Sequence, residues 1–85
     1  MNIPDEDLRK GYYHLLQHQD GYLLALDAIH PDLVESFELT GTITTGLNSS
    51  GNETYQLTEF GRELADTMYK TLTANMIYDY LIQNC

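Results

Sequence analysis

Apolar residues recur at helical spacing in two parts of the chain. The first stripe consists of Leu8, Tyr12, Leu15 and Leu16. The second consists of Phe60, Leu64, Met68, Leu72, Met76 and Tyr80. A period of three to four residues is typical of an amphipathic helix that buries one face. The stripes therefore predict a first helix over residues 1–19 and a long last helix over residues 58–84.

Shorter patterns fill the segment between these two helices. Residues 22–29 are apolar except for Asp27, which predicts a second helix over residues 20–30 at the centre of the domain. Pro31 disfavours helical geometry in the residue before it and suits the first position of a third, short helix over residues 31–38. Residues 39–57 place threonines and apolar residues around a turn of glycine, serine and asparagine, which predicts a β-hairpin.

Together these elements predict one domain of mainly α class with a small β-hairpin (α+β). Its 85 residues allow only a small core. The single cysteine, Cys85, cannot form an internal disulfide, and this favours a reducing compartment such as the cytoplasm. No apolar run reaches the length of a membrane span, and the N-terminus lacks the pattern of a secretory signal.

The junction between the hairpin and the last helix carries the most informative motif. Tyr55-x-Leu57-Thr58-x-x-Gly61 reads as a strand that runs into a helix, with Thr58 as the N-cap. This motif resembles the exit from the wing in winged-helix proteins of the MarR and PadR kind. Residues 39–43 likewise resemble the step from the recognition helix into the wing. The resemblance covers residues 33–64 and implies a winged-helix fold, in a family dominated by dimeric DNA-binding transcription regulators.

The charge of the chain points away from nucleic acid. Thirteen acidic residues against four basic ones give a formal net charge of −9. In the segment that matches a recognition helix, and in the hairpin, the charged residues are all acidic: Asp32, Glu35, Glu38 and Glu53. Because phosphate contacts require cations, this face is predicted to repel DNA. We therefore expect these four carboxylates to bind a basic surface of a partner protein.

Three functions from different classes remain open at this point. The first is an acidic interaction module that inhibits or regulates a partner by occupying its nucleic-acid groove, as small phage inhibitors of restriction or CRISPR systems do. The second is a dimeric DNA-binding regulator that contacts phosphates through Arg9, Lys10 or Arg62. The third is a small structural subunit whose acidity serves only solvation and which docks through its last helix.

The last helix is longer than so small a domain can cover. Its end is apolar, which predicts a homodimer. The residues expected at the dimer interface are Leu72, Met76, Ile77, Tyr80 and Leu81.

Catalytic chemistry is not expected from this sequence. His14 and His18 stand four residues apart, a spacing that suits a metal ion, but two ligands do not make a site. We interpret them as solvent-facing side chains on the polar side of the first helix. The glycines do not form a phosphate loop, and Cys85 lies at a chain end where a nucleophile is poorly held. The sequence therefore predicts neither an enzyme nor a bound metal or cofactor.

Overall fold

The computed structural model describes residues 3–83. They form a mainly helical domain with a small antiparallel sheet of three strands in the order β1-β3-β2. In chain order the elements are α1 Asp5–Gln17, β1 Asp20–Tyr22, a 3₁₀ helix Leu23–Ala28, α2 Pro31–Thr40, β2 Ile43–Leu47, β3 Glu53–Leu57 and α3 Glu59–Gln83. The α+β class is confirmed. Residue 84, with which the predicted last helix ends, and Cys85 lie outside the described residues. No helix within residues 3–83 has an apolar stretch long enough to cross a membrane.

The predicted second helix over residues 20–30 is wrong. Its first part is β1, which pairs with β3 and gives the sheet a third strand. Its second part is the 3₁₀ helix, in which only Leu26 is fully buried. Long-range bonds favour the extended start, because Leu57 N–H donates to the Gln19 carbonyl at 2.7 Å and the Tyr55 hydroxyl donates to the His18 carbonyl at 2.8 Å.

Helix α2 begins at Pro31, as predicted, but it continues to Thr40. Gly41 then adopts a left-handed conformation with φ of 76°. Thr42 N–H donates to the Phe37 carbonyl at 2.9 Å, which completes a Schellman-type ending of the helix. The strand expected from Leu39 onward therefore starts only at Ile43, because the glycine ends the helix two residues later than the threonine pattern suggests.

The step from the hairpin into α3 is built as the Thr58 motif predicts. Gly61 N–H donates to the Thr58 hydroxyl oxygen at 2.9 Å, so Thr58 is the N-cap. Thr58 also donates its backbone N–H to the carbonyl oxygen of the fully buried Thr42 at 3.1 Å. A Cβ at Gly61 would overlap that same carbonyl oxygen. Glycine is therefore needed here because α3 passes directly over the end of α2.

The core lies where α1, α2 and the first half of α3 meet the sheet. Tyr12 and Phe37 pack with ring centroids 5.4 Å apart, and α1 lies along α3. The buried apolar residues are Tyr12, Leu15, Leu26, Ile29, Leu33, Phe37, Ile43, Tyr55, Ala65 and Leu72. Every described residue of α3 from position 74 onward is exposed. The second half of this helix thus extends beyond the core, and with it the molecule measures 56 Å along its longest axis.

We expect Gly61→Ala to destabilise the fold strongly. The added methyl group would overlap the backbone carbonyl of Thr42, which cannot move away as a flexible side chain could. Overpacking of this kind costs about 1–3 kcal/mol. Gly46→Ala is the matched control, since a Cβ at Gly46 meets nothing within 4 Å. Urea unfolding followed by circular dichroism should show a lowered midpoint for Gly61→Ala alone. Equal midpoints for the two variants would contradict the close approach of α3 to Thr42.

Candidate partner-binding surfaces

The outer face of α2 is acidic. Leu33 and Phe37 turn one side of the helix into the core, and Glu35 and Glu38 lie on the exposed side. Leu39, which is 80% exposed, lies beside them. Neither glutamate has an ion-pair partner within residues 3–83, so both charges are available to a partner. Two of the four predicted binding carboxylates therefore belong to one open helical face.

Asp32 begins the same helix and is half-buried. Its carboxylate lies 3.9 Å from His30 Nδ1. That nitrogen accepts a hydrogen bond from Asp32 N–H at 3.2 Å. Asp32 therefore places a third carboxylate at the start of the helix that carries Glu35 and Glu38.

Glu53 lies in a different place from the other predicted carboxylates. It opens β3, opposite Leu47 of β2, and lines a groove between the hairpin tip and the 3₁₀ helix. The second carboxylate of this groove is Asp27, and its apolar lining includes Tyr22 and Leu24. Sequence reasoning missed these three residues because it placed residues 20–30 inside the core. The signal in the sequence that this segment is not wholly buried was Asp27, the single acid within residues 22–29.

The three basic residues proposed for a DNA-binding function each contact another group of the domain. The Arg9 guanidinium lies 6.0 Å from the centre of the Tyr69 ring. Lys10 pairs with Glu6 at 3.3 Å, and Arg62 donates to the Gln19 side chain. The three side chains thus contact three different groups of their own chain.

The end of α3 presents an apolar surface. Ile77 is 56% exposed, and Met76 and Leu81 are exposed with it. Tyr80 also lies on this part of the helix and is exposed. Leu72 is different, because it is only 6% exposed and packs in the core of its own chain. Leu72 therefore belongs to the domain core, whereas Met76, Ile77, Tyr80 and Leu81 are exposed on the projecting part of α3.

The histidines line a cleft of about 250 Å³ between α1 and the segment that precedes α2. The His14 and His18 rings lie 4.9 Å apart, and His30 forms part of the same wall. His14 is half-buried, not solvent-facing as predicted, and its Nε2 is buried without a hydrogen-bond partner. Burial, and then the charge of His18, lower the pKa of His14 below 6.5. Within residues 3–83, no group of three or more potential ligands is arranged to hold a metal ion.

This lowered pKa predicts an acid-sensitive contribution to stability. The unfolded chain binds a proton at His14 more readily than the folded chain, so the free energy of unfolding falls as the pH drops below the ordinary value of 6.5. Comparing urea unfolding at about pH 7.5 and about pH 5, His14→Gln should lose less stability than the unmodified chain. His18→Gln should raise the pKa of His14 in an NMR titration. An unchanged His14 pKa in that variant would contradict the proximity of the two rings.

No protein-family model matches this sequence, and no curated protein or solved structure is significantly similar to it. The function must therefore be inferred from the acidic face of α2, the groove beside the hairpin and the apolar end of α3.

Proposed function

We propose that this chain is a winged-helix-like protein-interaction module that binds a basic surface of a partner protein. The succession of α2, hairpin and α3 supports this proposal, and so does the Thr58 N-cap that joins the hairpin to α3. In this proposal α2 takes the place of the recognition helix. It would act as an inhibitor or regulator by occupying the site at which its partner holds nucleic acid.

The single observation that carries the proposal is the charge on α2. Its outer face presents Glu35 and Glu38, with Asp32 at its start, and α2 contains no lysine or arginine. A DNA-binding helix in this position would need cations to neutralise phosphates. Carboxylates here instead match the lysines and arginines of a nucleic-acid-binding protein, and complementary charge favours rapid and specific association.

We expect charge reversal of Glu35 and Glu38 to weaken binding to a polycation without unfolding the domain. The two side chains are exposed and unpaired, so the fold should tolerate lysine at both positions. At about 0.5–1 kcal/mol for each lost surface contact, the affinity for a lysine homopolymer should fall roughly tenfold. Isothermal titration calorimetry measures this change, and circular dichroism checks the fold.

The matched control is the double variant Glu59→Lys and Glu63→Lys. It makes the same change in net charge at two exposed glutamates of α3. A similar loss of affinity in both double variants would mean that net charge alone attracts the polycation, and α2 would not be the binding face. A salt titration against random duplex DNA completes the test. DNA binding that weakens steeply with salt would favour the transcription regulator instead.

We further propose that the chain forms a homodimer through the end of α3. Asp79 is the only charged residue between positions 71 and 83, so the projecting half of the helix is nearly neutral in a strongly acidic chain. Two copies repel each other least where they meet through this segment. Exposed Met76, Ile77 and Leu81 supply apolar surface for the contact.

If the chain dimerises in this way, substitutions on one side of the helix should disrupt the dimer and those on the other side should not. Met76→Asp with Ile77→Asp should give a monomer, because a carboxylate buried in an interface costs several kcal/mol. Asn75→Asp with Ile82→Asp adds two carboxylates to the opposite side of the helix and should leave the dimer intact. Sedimentation equilibrium measures the mass of each variant. A monomeric unmodified chain at all concentrations would exclude this interface.

A further inference from the structure

We propose that the groove between the hairpin tip and the 3₁₀ helix docks a partner segment with an apolar side chain flanked by lysine or arginine. The inference rests on the proposed function as a protein-interaction module. It adds a second contact surface, separate from the outer face of α2, and it specifies the chemistry of the segment that this surface recognises.

The shape of the groove suits a side chain with its flanking backbone. It has a volume of about 860 Å³ and is widely open to solvent. One wall is the 3₁₀ helix with Leu23, Leu24 and Ala25, and the other is formed by Gly51, Asn52 and Glu53 of the hairpin. Both walls belong to segments that are fixed to the core, the first by Leu26 and the second by the pairing of β3 with β1 and β2.

Two large apolar side chains in this groove are exposed for more than half of their surface within residues 3–83. Leu24 is 76% exposed and Tyr22 is 55% exposed, although both belong to the most apolar segment of the sequence. Tyrosine is enriched among the residues that dominate binding energy, because it buries a large area at a small loss of side-chain freedom. Burial of Tyr22 and Leu24 by a partner would give the apolar part of the contact.

The charges beside this apolar lining select the partner. Asp27 and Glu53 both line the groove, and neither has an ion-pair partner within residues 3–83. The residues that line the groove include no lysine or arginine. Carboxylates next to an apolar surface attract a segment that carries both an apolar side chain and a cation, and they repel phosphate groups.

A second copy of the chain is a poor occupant by the same reasoning. A copy carries a net charge of −9, which an acidic groove repels, and three of its four basic side chains contact their own chain: Lys10 contacts Glu6, Lys70 contacts Asp66 and Arg62 contacts Gln19. The fourth, Arg9, lies against the Tyr69 ring. A foreign protein therefore supplies the cations that the groove lacks.

The test uses NMR of the full, isotope-labelled chain with three synthetic peptides of equal length. One peptide contains leucine and lysine, the second only lysine, and the third leucine and glutamate. The leucine–lysine peptide should shift the amide signals of residues 22–25, 52 and 53. Its affinity should exceed that of each control peptide about tenfold, the typical loss when one dominant apolar contact is removed.

Leu24→Ser and Asp27→Asn separate the two parts of the contact. Each should lower the affinity for the leucine–lysine peptide about fivefold to tenfold, since one removes apolar area and the other removes a charge. Both positions are exposed, so the fold should be retained, and the amide spectrum of the free variant checks this directly. Ile82→Ser is the control, because Ile82 is also an exposed apolar residue but lies at the end of α3, outside both the groove and α2.

The outcomes distinguish this inference from the proposed function. If both cationic peptides shift only α2 residues, and Leu24→Ser changes nothing, the groove is not a docking site while the acidic face of α2 remains one. If the leucine–glutamate peptide binds as well as the leucine–lysine peptide, charge does not select the partner and the inference is overturned. If shifts appear in the groove alone, the docking site stands and the role proposed for α2 fails.

Discussion

The carbonyl group of Thr42 holds the middle of this fold together. It accepts the backbone N–H of Thr58 and lies 3.0 Å from the Thr58 hydroxyl, while the same hydroxyl oxygen caps the first turn of α3. The end of α2, the end of the hairpin and the start of α3 therefore meet at one buried point. A rearrangement of any of these elements would leave polar groups without partners in the core, which is costly. The direction in which α2 presents its acids, and that in which α3 leaves the domain, both depend on this junction.

The sequence predicted this junction well because its signals are local. An N-cap threonine and a proline that opens a helix act within one turn and need no distant partner. Residues 20–30 show the opposite case. A short apolar run does not by itself distinguish a buried helix from a strand followed by a turn. Whether this segment is helix or strand is decided by the pairing of β1 with Thr54, Tyr55 and Gln56, more than thirty positions further along the chain. Hydrophobic periodicity contains no information about such long-range contacts.

The candidate surfaces also differ in whether local sequence patterns could predict them. The acids of α2 were predictable, because helical periodicity alone separates Glu35 and Glu38 from the buried Leu33 and Phe37. Glu53 was grouped with them on charge, but the register of the hairpin sets it beside the 3₁₀ helix instead. The groove could not be predicted, since both of its walls depend on the unexpected strand β1. Leu72 was assigned to an interface because the stripe along α3 does not show where the domain ends.

Only the first half of α3 packs on the core, and this difference affects how the helix moves. Residues up to Leu72 lie on the core, so their amide hydrogens should exchange with solvent only when the whole domain opens. Residues 74–83 are exposed, so their helical turns should unwind locally and much more often in a single chain. The same helix thus contains a rigid half and a labile half, with the change near Thr73. A protease that cuts only unfolded segments would shorten the chain from its C-terminal side and leave the sheet, α1 and α2 intact.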